Sequence, residues 1–145
     1  MGAAYDEERG FPVYDGKKHF PSGRTFFEER CCYCGSDLVP GYVAQDHLVP
    51  MNKTSLGLHA WGNIVPACDV CNAKKQGQPW QDYLVQRAGA HASERYQKVN
   101  AFVAEHKYAP DLVDLRGVAE ELYDEVGTIA MTLVSMKVKR IRDKL

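Results

Sequence analysis

Two C-x-x-C pairs, Cys31 with Cys34 in "CCYCG" and Cys68 with Cys71 in "CDVC", constrain this chain more than any other feature. Two such knuckles can present four thiolates tetrahedrally to zinc. A shell closed by four sulfurs leaves no open position for water, so a site of this kind is structural. Cys32 falls outside the matched spacing and is expected to point away from the metal. A redox dithiol is the competing reading, and it lacks the βαβ context of a thioredoxin. The N-terminus "MGAAYDEERG" has neither the basic nor the apolar region of a signal peptide, which sets a reducing cytoplasm as the expected compartment. There, five cysteines suggest metal binding before disulfides.

A chain of 145 residues has room for one small domain with appendages. Four segments are expected: an irregular N-terminal extension over 1–25, a zinc-stapled core over 26–78, a helical extension over 79–109, and a long C-terminal helix over 110–145. The hydrophobic share is 45% and the charged share 26%, with no apolar run of the roughly 18 residues that a membrane span needs. The formal net charge is -1, so composition gives no global electrostatic footprint for nucleic acid; any phosphate contact has to come from a local patch.

Local signals place the motifs. "YVAQDHLV", bounded by Pro40-Gly41 and Pro50, reads as a short strand, and "NIVPAC" as a second one ended by Pro66. "DVCNAKKQG" reads as a short helix capped by Asp69 and closed by Gly77. Further helices are expected from Pro79 to Gly89 and from an N-cap at Ser93. The fold class is α+β, mainly helical: a small strand-strand-helix core followed by helices.

The residues enclosed by the knuckles carry chemistry. "QDHLVP" holds Asp46 and His47, "GNIVPAC" holds Asn63, and Asn72 follows the fourth cysteine in "CNAKK". Phosphodiester hydrolysis needs a water deprotonated for in-line attack and a cation to neutralise charge on the phosphate and leaving oxygen. Of these residues only His47 has an ordinary pKa near neutrality, as a general base requires. The combination "CxxCG…DHxxP…GNxVPAC…CNxxK", from about Arg30 to Lys75, resembles the His-Asn-His (HNH) endonucleases of the ββα-metal fold. The resemblance implies His47 as base, Asp46 as ligand of a catalytic divalent cation, and Asn63 as the residue fixing the loop that carries the base. Asn72 stands where the family often has its last histidine, an HNN variant in which the amide oxygen can still ligate a hard cation. Oxygen ligands suit Mg²⁺ or Mn²⁺ better than zinc, so two metals with separate jobs are expected.

Lys74 and Lys75 are candidate phosphate contacts or an ordinary solvated helix face. His59, in the loop between the strands, is open between a second ligand, a phosphate contact and an incidental loop histidine. Tyr33 is read as packing. In the last segment Leu112, Leu115, Ala119, Leu122, Val126, Ile129, Leu133 and Met136 alternate by three and four, a heptad seam capped at Asp111. Acidic residues fill its first half, while Lys139, Arg140 and other basic residues crowd its end. Either two copies pair antiparallel into a homodimer or the seam covers this chain's own helices. The basic end is either a DNA patch or a complement to the helix dipole. The resemblance thus implies a DNA endonuclease leaving 5′-phosphate and 3′-hydroxyl ends, in settings such as restriction or phage defence. The rivals are a non-catalytic zinc-stapled binding or scaffold module, and a nuclease subunit that depends on a partner protein for DNA recognition.

Overall fold

The computed structural model describes residues 11–52, 54–108 and 116–142, and in the last helix the side chains of 124–137 and 139. The chain divides into two compact units, 1–110 and 111–145. In the first unit the order is α1 (Gly16–Phe26), β1 (Val43–His47), β2 (Ile64–Cys68), α2 (Asp69–Lys75), α3 (Trp80–Ala88), a 3-10 turn (Gly89–His91) and α4 (Ala92–Glu105). The class is α+β, with a ββα unit at its centre.

β1 and β2 pair antiparallel with Val43 opposite Cys68 and His47 opposite Ile64. Pro66 does not end β2 as expected but lies inside it, opposite Gln45. Its carbonyl accepts from Cys32 N at 3.0 Å, away from β1. The missing N–H therefore faces the same outer edge and costs no ladder bond.

α1 corrects the expectation of irregular structure in this region. Asp15 caps it, its carboxylate accepting from Lys17 N at 2.9 Å. Pro21 and Gly23, which read as breakers, sit inside it. Gly23 is buried where a side chain would press on Trp61. Trp61 is the hub here: His19 of α1 stacks on it at 4.9 Å, and Phe102 of α4 meets its ring edge-on at 5.2 Å.

α2 is capped one residue before the expected position. Cys68 is the N-cap, its sulfur accepting from Cys71 N at 3.4 Å, and Asp69 is the first helical residue. The helix ends at Gln76 in the left-handed region (φ 48°), not at Gly77. α4 likewise begins at Ala92, which leaves Ser93 inside the first turn instead of capping it. α3 ends at Gly89 (φ 55°) as expected. The main core joins Phe27, Tyr33, Leu48, Val65, Leu84, Val99 and Phe102, so α1, the knuckle, both strands, α3 and α4 bury one another.

The second unit contains α5 (Arg116–Arg142), 27 residues or roughly 40 Å long. Ile129, Leu133 and Met136 of the seam are exposed by 59%, 61% and 51%. The seam residues Leu112 and Leu115 and the cap Asp111 lie outside the described residues, as do the side chains of Ala119, Leu122 and Arg140. No helix among the described residues is long and apolar enough to cross a membrane.

Candidate active site and metal centre

The knuckle is a tight reverse turn. Cys31 N donates to Ser36 O at 2.8 Å, Gly35 N donates to Cys31 O at 2.9 Å, and Gly35 takes the left-handed φ of 72°. This turn brings Cys31 and Cys34 against Cys68 and Cys71 at the β2–α2 junction, all four sulfurs lying within 4.8 Å of one another. Cys34 and Cys68 Sγ are 3.9 Å apart, against about 3.8 Å for the edge of a tetrahedron with Zn–S near 2.3 Å. Hydrogen bonds among the thiols, Cys31 first, hold Cys34 far below the ordinary thiol range and push Cys71 far above it. A cation that replaces the shared protons relieves that conflict. The four residues therefore fit a zinc ion. Cys32 is fully buried outside the cluster, and burial pushes its thiol pKa up.

His47 ends β1, half-buried, with its Nε2 3.1 Å from His59 Nδ1. Desolvation, then the proximity of His59 and Lys75, lowers its pKa to about 4. The N-terminal segment places His59: Tyr14 N donates to His59 O at 3.1 Å, and Trp61 N donates to Pro12 O at 2.9 Å. Of the roles left open for His59 at sequence level, none was contact with the base itself. Twelve residues separate the two histidines, and only the folding back of the 48–63 loop joins them.

Asp46 faces inward, 7% exposed. Its Oδ2 accepts from Tyr33 OH at 2.5 Å and lies 3.2 Å from Lys75 Nζ. Both contacts fall on Oδ2. Burial raises the Asp46 pKa despite the opposing pull of Lys75 and Tyr33. Tyr33 is thus more than packing: buried, with its pKa raised chiefly by desolvation, it is a fixed donor. Lys75 corrects the phosphate-contact reading outright. It is fully buried, and its ammonium also donates to His47 O at 2.7 Å, so it holds the strand end instead of facing solvent. Lys74 is exposed, as is Lys139 on α5. Asn72 is half-buried on α2, which packs on β1.

Asn63 is fully buried and staples the 48–63 loop. Its Oδ1 accepts from Val49 N at 2.8 Å, while its Nδ2 donates to Val49 O at 3.0 Å and Leu58 O at 2.7 Å. Its own carbonyl accepts from Leu48 N at 2.8 Å, directly after the base. Removing the amide orphans one buried and two partly buried backbone groups, so Asn63→Ala should cost about 3 kcal/mol in denaturant unfolding. It should also slow any turnover more than it weakens binding. An unchanged unfolding midpoint would show that the loop does not depend on the staple.

Two antiparallel strands and a helix, with Asp-His at the end of the first strand and a four-cysteine cluster at the helix start, define the ββα-metal architecture. Residues 31–78 match the family model for HNH endonucleases, so the chain carries an HNH domain, the hallmark of a nuclease family that binds nucleic acid and uses divalent metals. No curated protein matches the chain at a significant level of similarity.

Proposed function

We propose that the chain is a zinc-stapled DNA endonuclease with His47 as general base. The observation that carries this reading is a neutral imidazole held at a strand end beside a buried carboxylate, within an HNH domain. The His47 contact to His59 runs through Nε2. With the Nε2–H donated to His59 Nδ1, the lone pair on Nδ1 is left for water, and His59 is a positioning residue. His47 Nδ1 takes the proton as the water oxygen attacks phosphorus in line; the P–O3′ bond breaks and O3′ takes a proton from solvent water, giving 5′-phosphate and 3′-hydroxyl ends. One Mg²⁺ or Mn²⁺, held by Asp46 through Oδ1, the oxygen that Tyr33 and Lys75 do not contact, and by the Asn72 side-chain oxygen, would neutralise charge at the phosphate and leaving oxygen. Lys74, exposed on the same short helix, would meet a neighbouring phosphate.

The test is plasmid cleavage by the pure chain with Mg²⁺ or Mn²⁺; no cutting under either cation sinks the reading. The pKa direction adds a second check. A base whose folded pKa is lowered stays deprotonated until the pH falls through that value, so the acid limb of the single-turnover rate should lie near pH 4–5, well below the 6.5 of an ordinary histidine. A limb at 6.5 or above would remove His47 as a buried base.

We propose further that α5 pairs antiparallel with a second copy, joining acidic halves to basic ends across the exposed Ile129, Leu133 and Met136. Light scattering should give a dimer that Leu133→Glu converts to monomer without loss of metal. A monomer at every concentration would exclude the pairing.

A further inference from the structure

Away from His47, the zinc knuckle borders a separate cleft of about 740 Å³ whose charged lining is Arg30, Arg87 and Arg95 with Asp37, Asp69 and Glu94. Arg95, on α4, is only 6% exposed over the whole residue, and it lines the cleft. The group lies across Gly35 so closely that a Cβ there would come within 2.6 Å of its Nη2. Gly35 is thus required both by its φ of 72° and by the guanidinium above it.

A guanidinium screened from bulk water but lining a cleft is positioned to take a planar anion there. Glu94 meets His91 at 3.7 Å on the exposed rim, and Asp69 accepts from Val70 N at the start of α2. Arg87 Nε donates to Cys71 Sγ at 3.5 Å, so it serves the thiolates. Glu28, whose carboxylate feels Arg95, is bonded to Lys98 at 2.8 Å. Arg30 reaches Asp37 only loosely, at 3.5 Å, and both are exposed.

We propose that this cleft is an anion site for a phosphodiester group of a nucleic-acid strand, with Arg95 as the inner donor and Arg30 as the outer one. The planar fork of a guanidinium matches two phosphate oxygens. The cleft adjoins the Val43–Cys68 end of the sheet, four residues along β1 from His47. That is about 13 Å at roughly 3.3 Å per residue, or the axial rise of some four base pairs of duplex at about 3.4 Å each. The site would therefore grip the strand away from the scissile bond. This last point rests on the nuclease reading; the anion site itself does not. The competing role for Arg95 is to offset the negative charge of four metal-bound thiolates.

Anisotropy of a labelled DNA duplex, without added divalent cation, separates the two. Arg95→Gln and the exposed Arg30→Gln should each weaken binding roughly tenfold and flatten the log–log salt slope by about one, with zinc content and melting unchanged. Millimolar inorganic phosphate should compete with the duplex for the wild type and much less for Arg95→Gln. Loss of zinc from Arg95→Gln, with wild-type affinity in Arg30→Gln, would overturn the proposal in favour of charge compensation. Unchanged affinity in both variants would overturn it as well. Arg95-dependent binding by a chain that never cleaves would support the cleft and defeat the nuclease reading.

Discussion

His47→Ala should keep its zinc and its melting temperature yet cut DNA roughly a hundredfold to ten-thousandfold more slowly. The side chain is half-buried at the strand end, and its ring donates nothing to the core. The backbone carbonyl that Lys75 grips is unaffected by the substitution. His59→Ala should then produce a smaller loss, about tenfold to a hundredfold, expressed in kcat with KM held. His59→Asn, whose amide oxygen can still accept from His47 Nε2–H, should recover part of it. A role for His59 in packing alone predicts no difference between the two substitutions, while full activity in His47→Ala would assign the base elsewhere.

The second large effect concerns the knuckles. Cys34→Ser or Cys71→Ala should release the metal and, with it, the folded core. Structural zinc contributes on the order of 10 kcal/mol in small metal-stapled domains, comparable with the whole stability of about 5–15 kcal/mol expected of a small protein. Cys32→Ala should instead retain one zinc per chain and lose only about 1–2 kcal/mol, because it leaves a small cavity in a well-packed interior. Zinc stoichiometry after gel filtration decides the matter. Equal loss from Cys32→Ala and Cys34→Ser would mean that the cluster uses a different set of sulfurs.

The knuckles and the strand order were legible because each rests on residue types with narrow chemical uses at fixed spacing, whereas the loop role of Asn63 came only from the family resemblance. What was hidden depends on contacts between distant segments. α1 was masked by Pro21 and Gly23, whose local preference is overridden by packing of the helix on Trp61. Lys75 read as a solvated lysine since nothing local announces that Asp46 and the His47 carbonyl wait for it across the helix–strand interface. The His47–His59 pair and the Arg95 guanidinium above Gly35 likewise exist only once loops and helices have closed.

α2 has a further consequence. Cys68, Cys71, Asn72 and Lys75 follow one another at three, one and three positions, so they share one side of the helix and its cap. Seven residues are too few to hold helical shape unaided. Their geometry is borrowed from the sulfur cluster at one end and the buried ammonium at the other. A catalytic cation that uses Asn72 would therefore be thermodynamically linked to the zinc. Stripping one should weaken the other, and by reciprocity a millimolar hard cation should slow the escape of zinc to a chelator by favouring the same short helix. Two ions with different chemistry would then share a single conformational equilibrium.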